Sequence, residues 1–471
     1  MSKRALLLIS SFLSLFSIAC RQQEELPNII LVMTDDQGWY DVGFNGNTKI
    51  VTPNLDQMAA EGIVLSRFYS ASAVCSPTRA SLITGRNPNR MGVPDANSGK
   101  MLDEEITIAE LLKTKDYATG HFGKWHLGTF TSTEKDANRG GKGKEYYSIP
   151  TQHGYDTFFA TESKVPTYDP MVMPTHFDAY ESKRFGWDAV QPTDSVRPYG
   201  TAYWQAEGQR ATENLQGDDA RIIMDRALPF MEKALQNEQA FFTTIWFHTP
   251  HLPVVSAKKY RDLYPDLSPQ EQIYYGSISA MDEQMGRLWH FLEEQGVQDN
   301  TMIWFCSDNG PERQTPGQTG VYRERKRSLY EGGVRVPAFV VWKARLKAGG
   351  RTSYPMVTSD YLPTIVDYLN LDYPQDRPLD GKSVREAIEG RATERHQAIG
   401  FKYKAKISWL QDQYKLISTN QGKTYELYDL LADPGETNNL ADTKPDLTSQ
   451  MKKELEAWLV DVEESNAEND Y

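Results

Sequence analysis

The sequence predicts an α/β sandwich on a large, mainly parallel or mixed central sheet flanked by helices, with a smaller C-terminal domain of antiparallel sheet and helix. Three observations carry this. Short Ile/Val-rich runs alternate with amphipathic helical segments, polar residues gather where the apolar runs stop, and the rhythm changes from about Thr393 onward.

Asn28 to Met33 is a short apolar run ending in Thr34-Asp35-Asp36, the pattern of a buried strand whose carboxyl end carries polar residues. Thr52-Pro53 offers an N-cap and a first-turn proline to a helix with Leu55, Met58 and Ala59 at helical spacing. Val64 to Tyr69 reads as a strand, Ile106 to Leu112 as a helix, Tyr117 to Phe122 as a strand, Asp218 to Leu235 as a long amphipathic helix, and Phe241 to Phe247 as a buried strand. Gln270 to Gln295 is helical, Met302 to Cys306 and Ala338 to Trp342 are strands, and Tyr361 to Leu369 is a helix. Asp35-Asp36, His121 to His126, His248 to His251 and Ser307-Asp308-Asn309 all stand at strand ends, the edge where open α/β sheets bind ligands.

Phe130 to Gly217, rich in Gly, Pro, Tyr and charge, is expected as an excursion on the active-site side. The tail offers strand-like pieces at Ala398 to Phe401, Tyr414 to Ser418 and Glu426 to Asp429, a turn at Asp433-Pro434-Gly435 and a charged helix from Leu447 to Val462. Residues 28–392 are therefore expected as the catalytic domain and 393–471 as the C-terminal subdomain.

A chain of 471 residues has room for a large domain plus a smaller one. Its 24% charged and 39% hydrophobic residues exclude a disordered, collagen-like or multi-span membrane protein. A formal charge of −13 argues against nucleic acid as a partner, so an anionic substrate must be held by local basic groups. Three cysteines, Cys20, Cys75 and Cys306, are too few for a disulfide framework.

Lys3-Arg4, an apolar run from Ala5 to Ala19 and then Cys20 follow the order of an export signal. Ala19 before Cys20 resembles a bacterial lipoprotein cleavage box, although Ser17 stands where that box prefers Leu. Residues 1–20 are expected as an export signal of lipoprotein type, or else a simple cleaved signal peptide, and 21–27 as a tether. The protein is then expected in the periplasm or cell envelope, touching the membrane only through lipid on Cys20.

The most informative segment is Cys75-Ser76-Pro77-Thr78-Arg79-Ala80-Ser81-Leu82-Ile83-Thr84-Gly85-Arg86. A nucleophile just ahead of Pro77 sits at a helix N-terminus, where backbone N–H groups favour an anion. The segment resembles the signature Cys-x-Pro-x-Arg of the formylglycine-dependent sulfatases of the alkaline phosphatase superfamily. Further resemblances follow in that family's order: Asn28 to Gly38 with Asp35-Asp36, Gly123-Lys124-Trp125-His126-Leu127-Gly128, Phe247-His248-Thr249-Pro250-His251-Leu252-Pro253, Ser307-Asp308-Asn309-Gly310, Lys326 ahead of Tyr330 to Pro337, and Leu427 to Ala441. Within that family the chain most resembles bacterial sulfatases that act on polysaccharides.

The resemblance implies an alkaline-phosphatase-like sandwich and a sulfuric ester hydrolase. Cys75 would be converted by a formylglycine-generating maturation enzyme to an aldehyde that hydrates to a gem-diol; one hydroxyl, deprotonated with help from Asp308, attacks sulfur. Asp35, Asp36, Asp308, Asn309 and residue 75 would hold Ca²⁺, and the all-oxygen donor set suits such a hard cation better than zinc. Arg79 would orient the hydrated formylglycine, Lys124 and Lys326 neutralise sulfate, His251 protonate the departing alcohol with Lys326 in support, and His126 help the second hydroxyl collapse and expel sulfate. His248 competes with His251 for the acid role. Arg323, Arg325, Lys326 and Arg327 are expected to capture sulfate locally, although such a run is also what a solvated face looks like.

Taken singly, Asp35-Asp36 is also an ordinary cap, Asp308-Asn309-Gly310 an ordinary turn, His126 and His251 ordinary core histidines, and Lys124 and Lys326 ordinary surface lysines. Competing functions are an arylsulfatase, a phosphate or phosphonate ester hydrolase of the same superfamily, and an inactive glycan-binding protein. The excursion aromatics Tyr146, Tyr147, Trp187, Tyr203 and Trp204 favour a sulfated carbohydrate by stacking on sugars, algal (ulvan, carrageenan or fucan) ahead of glycosaminoglycan.

Overall fold

The computed structural model describes residues 25–133, 145–174, 197–374 and 376–470. The export signal with Cys20, most of the tether, and Trp187 lie outside them.

The large sheet is built around runs that bury both faces. The strands, in chain order, are β1 (Asn28–Thr34), β2 (Ile63–Leu65), β3 (Phe68–Tyr69), β4 (Ala118–Lys124), β5 (Thr157–Thr161), β6 (Trp204–Ala206), β7 (Gln209–Arg210), β8 (Phe241–Trp246), β9 (Thr301–Ser307), β10 (Ala338–Val341), β11 (Gly350–Thr352) and β12 (Met356–Val357). Ten of them form one sheet in the order β11-β2-β10-β9-β1-β8-β4-β5-β6-β7. The five central strands β9, β1, β8, β4 and β5 run parallel, while β10 and β6 join their neighbours antiparallel. Every residue of β1, β8 and β9 is buried, as in parallel strands covered on both sides.

Alternation along β1 feeds two cores. Ile29, Leu31 and Met33 face one that takes Ala80, Leu82 and Ile83 from helix Cys75–Thr84. Ile30 and Val32 face the other, with Leu55 and Met58 of helix Pro53–Ala60, Ile222 and Ile223 of helix Asp219–Gln236, and Ile278 and Met281 of helix Pro269–Glu294.

Register aligns the functional strand ends. Thr34 pairs with Ser307, Met33 and Gly123 both pair with Trp246, and Lys124 pairs with Thr161. Asp35-Asp36, Asp308-Asn309, Lys124 to His126 and the turn after Phe247 therefore emerge along one edge.

Several local expectations are corrected. Val64 to Tyr69 is not one strand: polar Ser66-Arg67 interrupts it, and Phe68–Tyr69 leaves to pair with Met356–Val357. Thr52 precedes its helix without capping it, because its hydroxyl accepts from Gly43 N and donates to Asp56 Oδ1. Helix Ile108–Lys113 starts at a capping box in which Thr107 Oγ1 accepts from Glu110 N and Glu110 Oε2 accepts from Thr107 N. The excursion contributes β5, which extends the parallel layer beyond β4.

The tail forms a four-stranded antiparallel sheet of β13 (Ile399–Tyr403), β14 (Lys406–Gln411), β15 (Tyr414–Ser418) and β16 (Glu426–Asp429), of which β14 was not foreseen. Helix Pro445–Glu464 covers it with Met451 and Leu455 against Ile407, Leu416 and Leu427. The sheet's other face shares a core with Tyr69, Val74, Leu329 and Val334, on the segments that flank the strand-end edge. Among the described residues no helix is long and apolar enough to cross a membrane.

Candidate active site

Val74 is extended, and Cys75 opens a helix whose ten residues are all buried. Pro77 is tolerated there because a first-turn N–H has no intrahelical acceptor. Ser76 Oγ lies 2.6 Å from His126 O, tying the helix start to the loop after β4. One turn on, Arg79 lies flat against the site floor, its guanidinium 5.2 Å from the Trp246 ring centre. It donates to Asp308 Oδ2 at 2.7 Å through Nη2 and to Lys124 O at 3.1 Å through Nη1.

The β1 turn supplies the paired carboxylates. Asp36 adopts a left-handed φ of 66°, a conformation that costs a non-glycine residue unless its surroundings enforce it. Here Asp308 Oδ1 accepts from Asp36 N at 3.1 Å, and Asn309 Nδ2 donates to Asp36 Oδ1 at 2.7 Å. Lys124 Nζ donates to Asp35 Oδ2 at 2.7 Å, and Lys326 Nζ contacts Asp36 Oδ1 and Oδ2 at 2.5 and 2.7 Å. The same ammonium stands 3.6 Å from Cys75 Sγ.

His251 Nδ1 faces Leu252 O at 2.6 Å, which leaves Nε2 turned to the site, 3.5 Å from Asp36 Oδ2. Ligand atoms of Asp35, Asp36, Cys75 and His251 all lie within 4.8 Å of one another. Asp308 stands outside that group of four, its carboxylate engaged by Arg79 and the Asp36 amide.

Burial raises the Asp35 carboxyl, but Lys124, then His251, Arg79 and Lys326 outweigh it and hold the group well below the usual carboxylate range. Asp36 is lowered against burial chiefly by Lys326. Asp308 is pushed up to about 7 by burial and then by the Asp35 charge, with Arg79 opposing. Burial pushes the Cys75 thiol up to about 12 against Lys124 and Lys326, and pushes His251 down to about 3 against Asp36 and Asp35.

These residues fit a hard cation. Asp35 Oδ1 and Asn309 Oδ1 are buried without a hydrogen-bond donor, which is costly for oxygens that nothing else satisfies. Carboxylate and amide oxygens from Asp35, Asp36, Asp308 and Asn309 are the donors that Ca²⁺ takes.

His248 is not part of this cluster. It is wholly buried, with Nδ1 2.8 Å from Asp219 Oδ2 and Nε2 2.7 Å from Thr161 Oγ1. His121 packs edge-on against Trp125, Tyr155 and Trp246 and bonds Thr244. His126, with a φ of 57°, is brought beside the Cys75 helix, its Nε2 3.3 Å from Asn97 Oδ1.

The basic run divides. Only Lys326 points inward, while Arg323 lies over Tyr330, Arg325 bonds the carbonyls of Glu312 and Thr315, and Arg327 pairs with Glu312. The expectation that the arginines capture sulfate is corrected accordingly. Tyr203 and Trp204 are core residues stacked on Phe159 and Phe130, so they present no face to a sugar.

Lys164, which no motif announces, also belongs to the site. Half-buried past β5, it lies near enough to Lys326, Lys124, Asp36 and Asp35 to feel their charge. Its neighbourhood comes from the β4–β5 pairing, which no spacing in the sequence encodes.

This geometry agrees with comparisons to known proteins. A family described as Sulfatase matches residues 27–371, and one described as N-sulphoglucosamine sulphohydrolase, C-terminal, matches 317–464. The N-acetylgalactosamine-6-sulfatase of Canis lupus familiaris is 30% identical over 390 residues, 77% of this chain and 66% of that protein, and arylsulfatase G of Mus musculus is 30% identical over 82% of this chain and 73% of its own. The chain thus spans about two thirds of the length of the first of these relatives. The solved structure of Ps i-CgsB in complex with k-i-k-neocarrahexaose superposes with a TM-score of 0.78 at 26% identity, covering 93% of each chain. With a family match over most of its length, the chain belongs to the sulfatase family.

Proposed function

We propose that this protein hydrolyses sulfate esters on a sulfated polysaccharide or its oligosaccharides, with residue 75 acting as formylglycine and Ca²⁺ in the carboxylate cluster. The observation that carries the reading is Cys75 at a buried helix start, its Sγ 3.6 Å from Lys326 Nζ and grouped with Asp35, Asp36 and His251. A buried thiol held protonated is a weak nucleophile. The hydrated aldehyde supplies one hydroxyl to attack sulfur and a second whose collapse releases sulfate, which neither cysteine nor serine can do. Asp35, Asp36, Asp308 and Asn309 would hold the Ca²⁺, which supplies positive charge against the sulfate oxygens and the nucleophile.

The chain's own residues do the rest. Lys124 and Lys326, fixed by Asp35 and Asp36, present two ammoniums where a sulfate monoester's charge sits. Arg79 locks Asp308 and the Lys124 backbone, orienting residue 75 from one helical turn away. His251, its Nδ1 at Leu252 O and its Nε2 turned to the site, would protonate the departing alcohol in its protonated form, with Lys326 a second donor at the same edge, while the attacking hydroxyl gives up its own proton with help from Asp308. His126, whose backbone carbonyl accepts from Ser76, would act on the second hydroxyl in this reading.

The likeness to a structure solved with k-i-k-neocarrahexaose supports an algal galactan of carrageenan type, ahead of ulvan and fucan among algal substrates and ahead of glycosaminoglycan. We also infer export to the cell envelope with a lipid at Cys20, on the Lys3-to-Cys20 pattern. The test is sulfate release from a panel of sulfated oligosaccharides set beside the matched phosphate esters. Turnover of sulfate but not phosphate esters is expected; the reverse preference would overturn the reading.

A further inference from the structure

The charges that touch one another around Cys75 balance. Asp35, Asp36 and Asp308 face Lys124, Lys326 and Arg79, each carboxylate within 2.7 Å of one of the cations. Lys164 is the surplus charge. Among the described residues no carboxylate comes within ion-pair reach of it, and its strongest electrostatic neighbours are Lys326 and Lys124. Burial and those two cations disfavour its charge and outweigh the opposing pull of Asp36 and Asp35, so an ammonium there has room for a close counter-ion from outside the protein.

Its place in the fold is enforced from both sides. Thr161 O accepts from Trp125 N at 2.9 Å, and Thr161 Oγ1 is held by His248 Nε2 and lies 2.6 Å from Ser163 O. Three residues past Lys164, Thr167 Oγ1 lies 2.6 Å from Val255 O and accepts from Val255 N at 2.8 Å, and Thr167 N donates to Pro253 O. Lys164 is thus clamped between the end of the strand that carries Lys124 and the loop that follows His251. Lys124 and Lys326 are 1% and 2% exposed, whereas Lys164 keeps part of its surface open to solvent.

We propose that Lys164 is a subsite for a second anionic group on the substrate, a sulfate or carboxylate beside the sulfate being removed. This rests on the sulfatase reading and deepens it, since the two inner lysines already match the ester undergoing hydrolysis and the outer one selects for a polyanionic sugar. Lys164 binds and does not react, so its loss acts on KM.

The test compares a fully sulfated oligosaccharide, its singly sulfated counterpart and 4-nitrophenyl sulfate on wild type, Lys164→Ala and Lys164→Arg. One charge-assisted contact predicts a KM increase on the order of 10- to 100-fold for Lys164→Ala on the fully sulfated substrate. KM on the two singly charged substrates should rise far less, kcat on the fully sulfated one should change little beside KM, and Lys164→Arg should restore most of the affinity. Equal losses on all three substrates, or none on the fully sulfated one, overturn the proposal. Calorimetric titration of both oligosaccharides into the Cys75→Ala protein, with and without Lys164→Ala, separates the two claims. Lys164-dependent preference without hydrolysis by wild type would leave the subsite standing and remove the sulfatase reading; hydrolysis without that preference would do the opposite.

Discussion

Two buried ion clusters lie on either side of the segment 326–335, and they end in opposite states. At the junction with the C-terminal sheet, Lys415 Nζ stands 3.0 Å from both Glu331 Oε1 and Glu436 Oε1. Glu331 Oε2 accepts from Tyr69 OH and Arg335, and Glu436 Oε2 accepts from Glu331 N at 2.7 Å. Three of the four carboxylate oxygens there accept a hydrogen bond, and the fourth, Glu436 Oε1, has the Lys415 ammonium at 3.0 Å. Around Cys75 the same residue types are as deeply buried, yet Asp35 Oδ1 has only Arg79 standing off at 3.7 Å, and Asn309 Oδ1 has no donor. The first cluster closes its last oxygen with a close ion pair, whereas the second leaves two oxygens with neither donor nor close cation, as the proposed cation site requires.

Breaking the functional cluster should cost activity and spare the fold. Cys75→Ala is expected to lose activity on the order of 10⁴-fold or more while melting with wild type, as checked by sulfate release and calorimetry. A variant that keeps substantial activity would move the nucleophile elsewhere. Stripping the protein with a strong chelator should likewise stop turnover and lower the melting point, because Ca²⁺ at about 100 times its Kd contributes about 2.7 kcal/mol. Full activity after chelation would remove the metal from the account.

His251→Ala should lose on the order of 10²- to 10⁴-fold on a sugar sulfate and far less on an activated aryl sulfate, whose phenolate hardly needs a proton. Lys326→Ala should weaken both. Equal losses on both substrates for His251→Ala would refute the acid role, and the deep burial of His248 beside Asp219 leaves Lys326 as the donor to examine. In the other cluster, Lys415→Met should cost about 3–5 kcal/mol of stability, since it leaves two buried glutamates facing each other. Its kcat per folded molecule should stay near wild type, and melting curves with active-site titration check both.

Local patterns were the legible part. The apolar runs of β1, β8 and β9 named the sheet because strands buried on both faces need nothing else, and the Cys75 and Asp35-Asp36 motifs are short stretches of contiguous chain. What long-range pairing decides was not legible. His248 and His251 are equivalent as residues three apart, but the turn in which His251 N donates to His248 O sends one ring to Asp219 and the other to Asp36. Four basic residues in five looked alike until left-handed turns at Glu324 and Arg327 turned Lys326 inward alone. β14 escaped notice because Lys406, Ser408 and Gln411 blur its alternation, although Ile407 and Leu410 are buried. Lys164 escaped because nothing but the pairing of β5 with β4 brings it near Lys124.

The most direct test of the central claim is the mass of the peptide carrying Cys75, measured on preparations ranked by their rate of sulfate release. The account predicts that the peptide loses sulfur and two hydrogens and gains one oxygen, as conversion of cysteine to formylglycine requires, and that activity rises in proportion to the converted fraction. A fully active preparation containing only the unmodified thiol would contradict it.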